Sequence, residues 1–536
     1  MNLPTALRIE NGPIGSALGT WLDFAPAGLA TRFLLLWFVI LWMVFNVLSH
    51  ASTGLDSAIF AVYAEGLHPA AGYDLHPPLA ALVAAGWFSA FPTTDWTGHL
   101  LAMANAALGL YGVDLIARHY LEGDKRIVVL LLLLLTPFYQ FYADRFSWGM
   151  TQLSLWPIAT YCFLRAFETY GIAWSARAGT AAGVALLGDY HAIVLLAGFL
   201  VGVFVSPGRD AYLRSASPYI SAMAGLAILS PHLYWLYVTQ FASLAHVAAG
   251  ITGAPLGDVL AKGAFYVAAT LGYAAVPLAV WWVAVHPDRA TWREAFWPSE
   301  PGRRMLVVLL LVPLALPAIV APFIGMALTP QSTTPGWFLL PIVLLRPKSA
   351  NLTRVAAIRL TALVAGLTLG AVIAAPFIAW QKHLAGGTSE GREFYRQVAG
   401  QVTDAWHIAT GQPLRLVMGD RNFVAAATFY SPDHPDSVAD FDVASVPWVA
   451  PERVRAEGFM AICNADDQNC VDEARRRAAD NSNVQFMNFS SVSRYLGGSG
   501  KLGRFFFLLV GAETAPPLKS DRSSRGMIAR APVISI

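Results

Sequence analysis

The chain has 536 residues, 56% of them hydrophobic and only 13% charged, with a mean hydropathy of +0.50. Soluble domains carry about 25% charged residues, so the composition excludes an ordinary soluble enzyme and points to a polytopic α-helical membrane protein. A formal net charge of +2 supplies no basic surface for nucleic acid.

In chain order, apolar runs of spanning length fall at 33–50, 97–117, 127–142, 150–167, 174–187, 191–206, 218–237, 263–285, 305–325, 334–346 and 360–380. They predict about eleven transmembrane helices, the fifth, sixth and tenth being the shortest or proline-broken. The first run starts too far in for a cleavable signal peptide and reads as a first spanning helix. The run 79–91 stops at Pro92 after thirteen residues and reads as an interfacial helix. Beyond residue 380 the composition changes: residues 381–536 hold 34 of the 70 charged side chains. The expected domains are therefore a membrane domain over 1–380 and an α/β domain over 381–515. The Ser-, Arg- and Lys-rich tail 516–536 is expected to be disordered.

Basic residues set the orientation. One set of loops carries 17 Lys and Arg, whereas the opposite set carries only Arg145 and Lys262. By the positive-inside rule the N-terminus is cytoplasmic, and an odd number of helices puts the C-terminal domain outside. The outer loops of the membrane domain then hold Asp56, Glu65, Asp74, Asp95, Asp144, Asp189 and Asp258, with His50, His68, His76, His191 and His246. These histidines have no close ligand spacing. No metal site is assigned, and a divalent cation stays open as a cofactor. There is no Walker loop, Rossmann fingerprint or Gly-x-Ser-x-Gly elbow.

In the C-terminal domain, Gly391–Thr410 predicts an amphipathic helix, Leu414–Met418 a strand and Asn422–Tyr430 a helix. Ala450-Pro451-Glu452 opens another helix. Gly458–Cys463 reads as a strand, Asn469–Ala479 as a helix, and Val484–Phe489 and Arg504–Val510 as strands. Cys463 and Cys470 can pair if this domain is extracytoplasmic. Cys162 reads as a core filler. Asp420-Arg421-Asn422 is either an acceptor contact or an ordinary helix N-terminus.

The stretch from Asp56 to Leu79 concentrates ionisable groups in greasy surroundings, and such a polar stretch at a membrane helix end is a functional candidate. Asp56 is open to two readings: a general base that takes a hydroxyl proton, or the N-cap of a short helix beginning at Ser57. Glu65 does not share its helical face. The prolines of His76-Pro77-Pro78 bar helix at His76 and hold Tyr73, Asp74 and His76 in a rigid turn. Arg145 suits an anionic headgroup or phosphate, or pairs with Asp144 or Asp189. Gly188-Asp189-Tyr190-His191 breaks an apolar run, as a cavity-lining segment does.

An aspartate in the first outer loop, then Gly72-Tyr73 and a basic residue before Pro77-Pro78-Leu79, resembles the polyprenyl-phosphate-sugar-dependent glycosyltransferases of family 39. These include protein O-mannosyltransferases and aminoarabinose transferases, and they share the multi-helix GT-C fold. Leu135-Thr136-Pro137-Phe138-Tyr139, Leu155-Trp156-Pro157, Phe163-Leu164-Arg165-Ala166 and Gly188-Asp189-Tyr190-His191 resemble a bacterial branch of it. The resemblance covers about residues 30–240.

It implies that Asp56 is the catalytic base and that His76, Arg145 and His191 bind the donor phosphate. Glu65, Tyr73, Asp74, Asp144, Asp189 and Tyr190 would line the site. The implied partners are a polyprenyl-phosphate-linked sugar, a lipid, glycan or protein acceptor, and membrane lipids. The implied location is a bacterial inner membrane, with the C-terminal domain periplasmic. Two departures stand out. Ser57 replaces a second acid, leaving one carboxylate, and His76 replaces lysine, which makes a phosphate contact pH-sensitive. Competing readings are a transporter or flippase of lipid-linked sugars and an envelope assembly or binding protein.

Overall fold

The computed structural model describes residues 12–251, 253–479 and 481–513, so the tail 516–536 lies outside the described residues. Most of the predicted apolar runs lie in helix, which pairs backbone N–H and C=O groups internally. Five helices are long and apolar enough to cross a membrane: Leu29–Ser49, Asp95–Tyr120, Leu256–Val285, Pro301–Ile324 and Arg354–Leu384. Their sides expose large apolar groups, such as Phe265, Leu271, Val283, Phe323 and Ile373. The remaining runs form Gln152–Thr169, Ile172–Gly188, Ile193–Val205 and Ser217–Val238, with the shorter Leu79–Ala90.

Two runs differ from expectation. The run 127–142 is helical only as Lys125–Leu133, since Thr136-Pro137 disfavours helix before the proline. The run 334–346 begins as a 3-10 segment, Pro330–Leu339, before Leu340–Leu345, with Pro330, Pro335 and Pro341 removing donors along it.

The chain divides into two compact units. The first comprises Met1–Val44, Ala70–Ala80 and Leu100–Val372. Within it, Ile172–Gly188 and Ser217–Val238 cross at glycines: a Cβ on Gly179 would lie 1.9 Å from the Ser221 carbonyl oxygen. Small residues permit such close helix approach. Asp114, fully buried, accepts from Arg126 Nε at 2.6 Å, Arg118 Nη2 at 2.5 Å and Thr31 Oγ1 at 3.2 Å. A buried carboxylate is tolerated when it is satisfied in this way.

The second unit comprises Phe45–Pro69, Ala81–His99 and Ile373–Ile536. The Asp56 loop thus groups with the C-terminal domain. That domain holds a five-stranded sheet. The strands are β1 (Leu416–Gly419), β2 (Asp436–Ala439), β3 (Phe459–Asn464), β4 (Val484–Tyr495) and β5 (Gly498–Val510). β1 pairs parallel to β2 and β3, and β5 runs antiparallel to β3 and β4. Central β3 is almost wholly apolar and buried, as expected for a strand covered on both faces.

The sequence reading missed β2, a four-residue edge strand of mixed polarity. It also cut β4 and β5 short. They extend as an exposed hairpin whose two-residue turn, Leu496-Gly497, has positive φ at both positions (46° and 80°), the geometry that suits hairpin twist. Cys463 and Cys470 form a disulfide with Cα atoms 5.7 Å apart.

Helix Ser57–Gly66 packs on helix Arg421–Tyr430 through Phe60 and Tyr63 against Phe429, with ring centroids 5.1 and 5.3 Å apart. A Cβ on Gly66 would lie 2.6 Å from the Ala81 carbonyl oxygen, so only glycine lets Leu79–Ala90 approach there.

Candidate active site

Asp56 has extended backbone (φ −68°, ψ 140°) and opens helix Ser57–Gly66. Its Oδ1 accepts from the Ala58 N–H at 3.1 Å, so it caps the helix. Its Oδ2 accepts from Arg392 Nη2 at 2.7 Å. Capping therefore uses one carboxylate oxygen and leaves the other in a charge-assisted pair. Both side chains are mostly shielded, 11% exposed for Asp56 and 17% for Arg392.

The segment between Leu384 and Tyr395 fixes the arginine. Arg392 N–H donates to Thr388 Oγ1 at 2.9 Å, and Glu393 Oε2 accepts from the Thr388 N–H and hydroxyl at 3.0 and 3.1 Å. Arg392 Nε donates to Glu390 at 2.8 Å. Burial pulls the guanidinium down, but Glu390 and Asp56 hold it above its ordinary value.

Four residues on, Arg396 donates to Asp95 Oδ2 at 2.6 Å, and the Tyr430 hydroxyl donates to Asp95 Oδ1 at 2.5 Å. Burial, then the Asp95 charge, raises the Tyr430 phenol far above its usual range. His68 pairs with Asp436 and stacks on Trp448 at 4.7 Å. His50, the first residue past helix Leu29–Ser49, has its ring 5.4 Å from that of His99. Burial, then nearby Lys382, lowers its pKa from 6.5 to about 4. Glu65 occupies the last turn of helix Ser57–Gly66 and is half-buried.

The other predicted residues lie in the first unit, where three segments meet. His76 lies flat on Trp148, with centroids 3.5 Å apart and planes at 6°. The turn holding it is closed by the Tyr73 N–H donating to the His76 carbonyl at 3.0 Å. Tyr73 is buried, and Asp74 accepts from His246 Nδ1 at 2.8 Å. Next to Trp148, a Cβ on Gly149 would stand 3.5 Å from Asp189 Oδ2. Asp189 Oδ1 accepts from the His191 N–H at 2.7 Å, and the His191 ring stacks 5.8 Å from that of Trp156. The Tyr190 hydroxyl lies 3.1 Å from His232 Nε2, while His232 Nδ1 lies 2.7 Å from the Ala71 carbonyl oxygen. The His76 turn, the Trp148 corner and the Asp189-Tyr190-His191 break thus form one neighbourhood. Arg145, three residues before Trp148, donates through Nε to Asp144 at 3.2 Å and is 40% exposed.

Sequence reasoning missed Arg392, Trp148 and His232. Arg392 and Arg396, four residues apart at the start of an amphipathic helix, were the available signal for two partners on one face. Trp148 and His232 carried none. Asp420 accepts from the N–H groups of Asn422 and Phe423 at 3.0 and 3.2 Å and is a helix N-cap. Among the described residues, no group of three or more His, Cys, Asp or Glu side chains is gathered as a metal site.

Residues 75–235 match the family described as dolichyl-phosphate-mannose-protein mannosyltransferase. That stretch contains His76, Arg145 and His191, and Asp56 precedes it. No curated protein is similar to the chain in sequence. Two similar solved structures are of ArnT from Cupriavidus metallidurans. The form bound to undecaprenyl phosphate is 14% identical with a TM-score of 0.59, covering 89% of this chain and 97% of that one. The apo form is 15% identical with a TM-score of 0.57, covering 92% and 100%. At such identity the likeness is one of fold. The fold is that seen in ArnT. The resemblance to family 39 is carried in sequence by residues 75–235.

Proposed function

We propose that the chain is an inner-membrane glycosyltransferase moving a sugar from a polyprenyl-phosphate donor to a lipid, glycan or protein acceptor at the outer face. The N-terminus is cytoplasmic in this reading. The C-terminal domain is periplasmic, a compartment in which the Cys463–Cys470 disulfide persists. The acceptor hydroxyl oxygen attacks the anomeric carbon opposite the phosphate, the bond to the polyprenyl phosphate breaks, and configuration inverts. Asp56 takes the hydroxyl proton as general base.

The departing phosphate is a weakly basic leaving group that needs charge stabilisation more than a proton. Arg145 and His76, with His191, are assigned to it. Glu65, Tyr73, Asp74, Asp144, Asp189 and Tyr190 line the site. The observation that carries the reading is the family match over residues 75–235, which contains the His76–Trp148–Asp189 neighbourhood.

The test is reconstitution of the purified protein in vesicles with polyprenyl-phosphate sugars and candidate acceptors. Covalent transfer of the sugar is expected. Movement of intact lipid-linked sugar across the bilayer with no transfer would overturn the reading in favour of a transporter.

A further inference from the structure

The C-terminal domain reaches the Asp56 loop with a charged side chain that no sequence motif singled out. The helix cap engages Asp56 through Oδ1, and a cap contact by itself leaves rotation about the Cβ–Cγ bond open. Arg392 removes that freedom by binding the second oxygen at 2.7 Å. Arg392 is itself prepared. Gly391 takes positive φ (71°) beneath it, Thr388 receives its backbone N–H, and Glu390 receives its Nε. Its backbone carbonyl lies 3.6 Å from where a Cβ on Gly54 would stand, two residues before Asp56. An arginine spending one nitrogen on Glu390 and another on Asp56 is a rigid planar bracket, which lysine cannot reproduce.

We infer that Arg392 is a positioning residue supplied by the C-terminal domain, holding the Asp56 carboxylate in the orientation from which it accepts the acceptor's proton. The inference rests on the proposed role of Asp56. Each carboxylate oxygen has two lone pairs, so the bond from the Ala58 N–H to Oδ1 and the bond from Arg392 to Oδ2 fix the plane of the carboxylate. Arg392 touches the base and not the reacting atoms. Its loss should therefore slow turnover without weakening donor binding.

The experiment uses the full chain in detergent with undecaprenyl-phosphate-linked mannose and undecaprenyl-phosphate-linked aminoarabinose as donors. Transfer to envelope lipid, glycan and protein fractions is followed for wild type, Arg392→Gln, Arg392→Lys, Arg392→Ala and Asp56→Asn. Arg392→Gln is expected to lower kcat at least ten-fold with the donor KM within two-fold. Arg392→Lys should fall between it and wild type, and added guanidinium should restore part of the Arg392→Ala rate but none of the Asp56→Asn rate. Should the Gln variant fail to fold, the Lys variant decides: a kcat drop of three-fold or more at unchanged KM supports the inference, and a wild-type kcat overturns it.

A rise in donor KM with kcat intact, or an increase in rate, would also overturn it. If Asp56→Asn is inactive while Arg392→Gln is normal, this inference alone fails. If Asp56→Asn keeps the wild-type rate, or wild type transfers from neither donor, the proposed function fails first.

Discussion

Tyr430→Phe tests whether the first turn of helix Asp95–Tyr120 is held by the C-terminal domain. The change removes only the hydroxyl, leaving a ring that packs 5.2 Å from Phe60 and 5.1 Å from Phe429. What is lost is the hydrogen bond to Asp95 Oδ1. A bond to a charged acceptor contributes roughly 1.5–3 kcal/mol. Asp95 is 26% exposed and keeps Arg396, so the low end applies, about 1.5 kcal/mol. For a unit of roughly 200 residues this lowers the melting midpoint by about 3–6 °C. Thermal unfolding followed by size-exclusion fluorescence measures it. Because Tyr430 and Asp95 share one bond, Tyr430→Phe and Asp95→Asn should combine with a coupling of about 1 kcal/mol. An unshifted midpoint, or strictly additive losses, would show that the Tyr430–Asp95 bond does not hold the helix start.

His50 predicts a pH dependence. Its folded pKa of about 4 lies below its ordinary 6.5, so between those values the unfolded chain binds more protons and stability rises with pH. Acidification from pH 7 to 4 should cost about 2–3 kcal/mol at this site, and His50→Gln should flatten the curve across that window. Gly66→Ala places a methyl against the Ala81 backbone. It should cost about 1–3 kcal/mol by overpacking and lower transfer by displacing the helix that carries Asp56. Of the three cysteines, only Cys162 should take maleimide in denatured, unreduced protein. Reduction before mass measurement should raise the label count to three.

Much of the fold was legible because its signals are local. Long apolar runs must become helices in lipid, and Pro137 and the Gly188-Asp189 pair interrupt them by chemistry visible in the sequence. Asp56 before Ser57-Ala58 had a cap as one of its two readings, and the structure has the cap. β2 escaped notice because Asp436–Ala439 has no apolar pattern of its own and is a strand only by pairing with β1. The ends of β4 and β5 are polar and exposed, so turn geometry rather than burial extends them. The site was legible in part. The Tyr73–His76 turn was foreshadowed by its prolines, whereas the Trp148 stack depends on tertiary packing. The Arg392–Asp56 pair joins residues 336 positions apart, and no spacing rule reaches that far.

In the proposed reaction the Asp56 carboxylate accepts a proton during sugar transfer. Asp56→Asn tests it most directly, since asparagine caps a helix about as well as aspartate; the change removes the base and keeps the cap, while giving up the charge that faces Arg392. Initial rates of transfer from a polyprenyl-phosphate sugar, measured on folded protein, should fall about 10²–10⁴-fold. A variant that transfers at the wild-type rate would show that Asp56 is not the base.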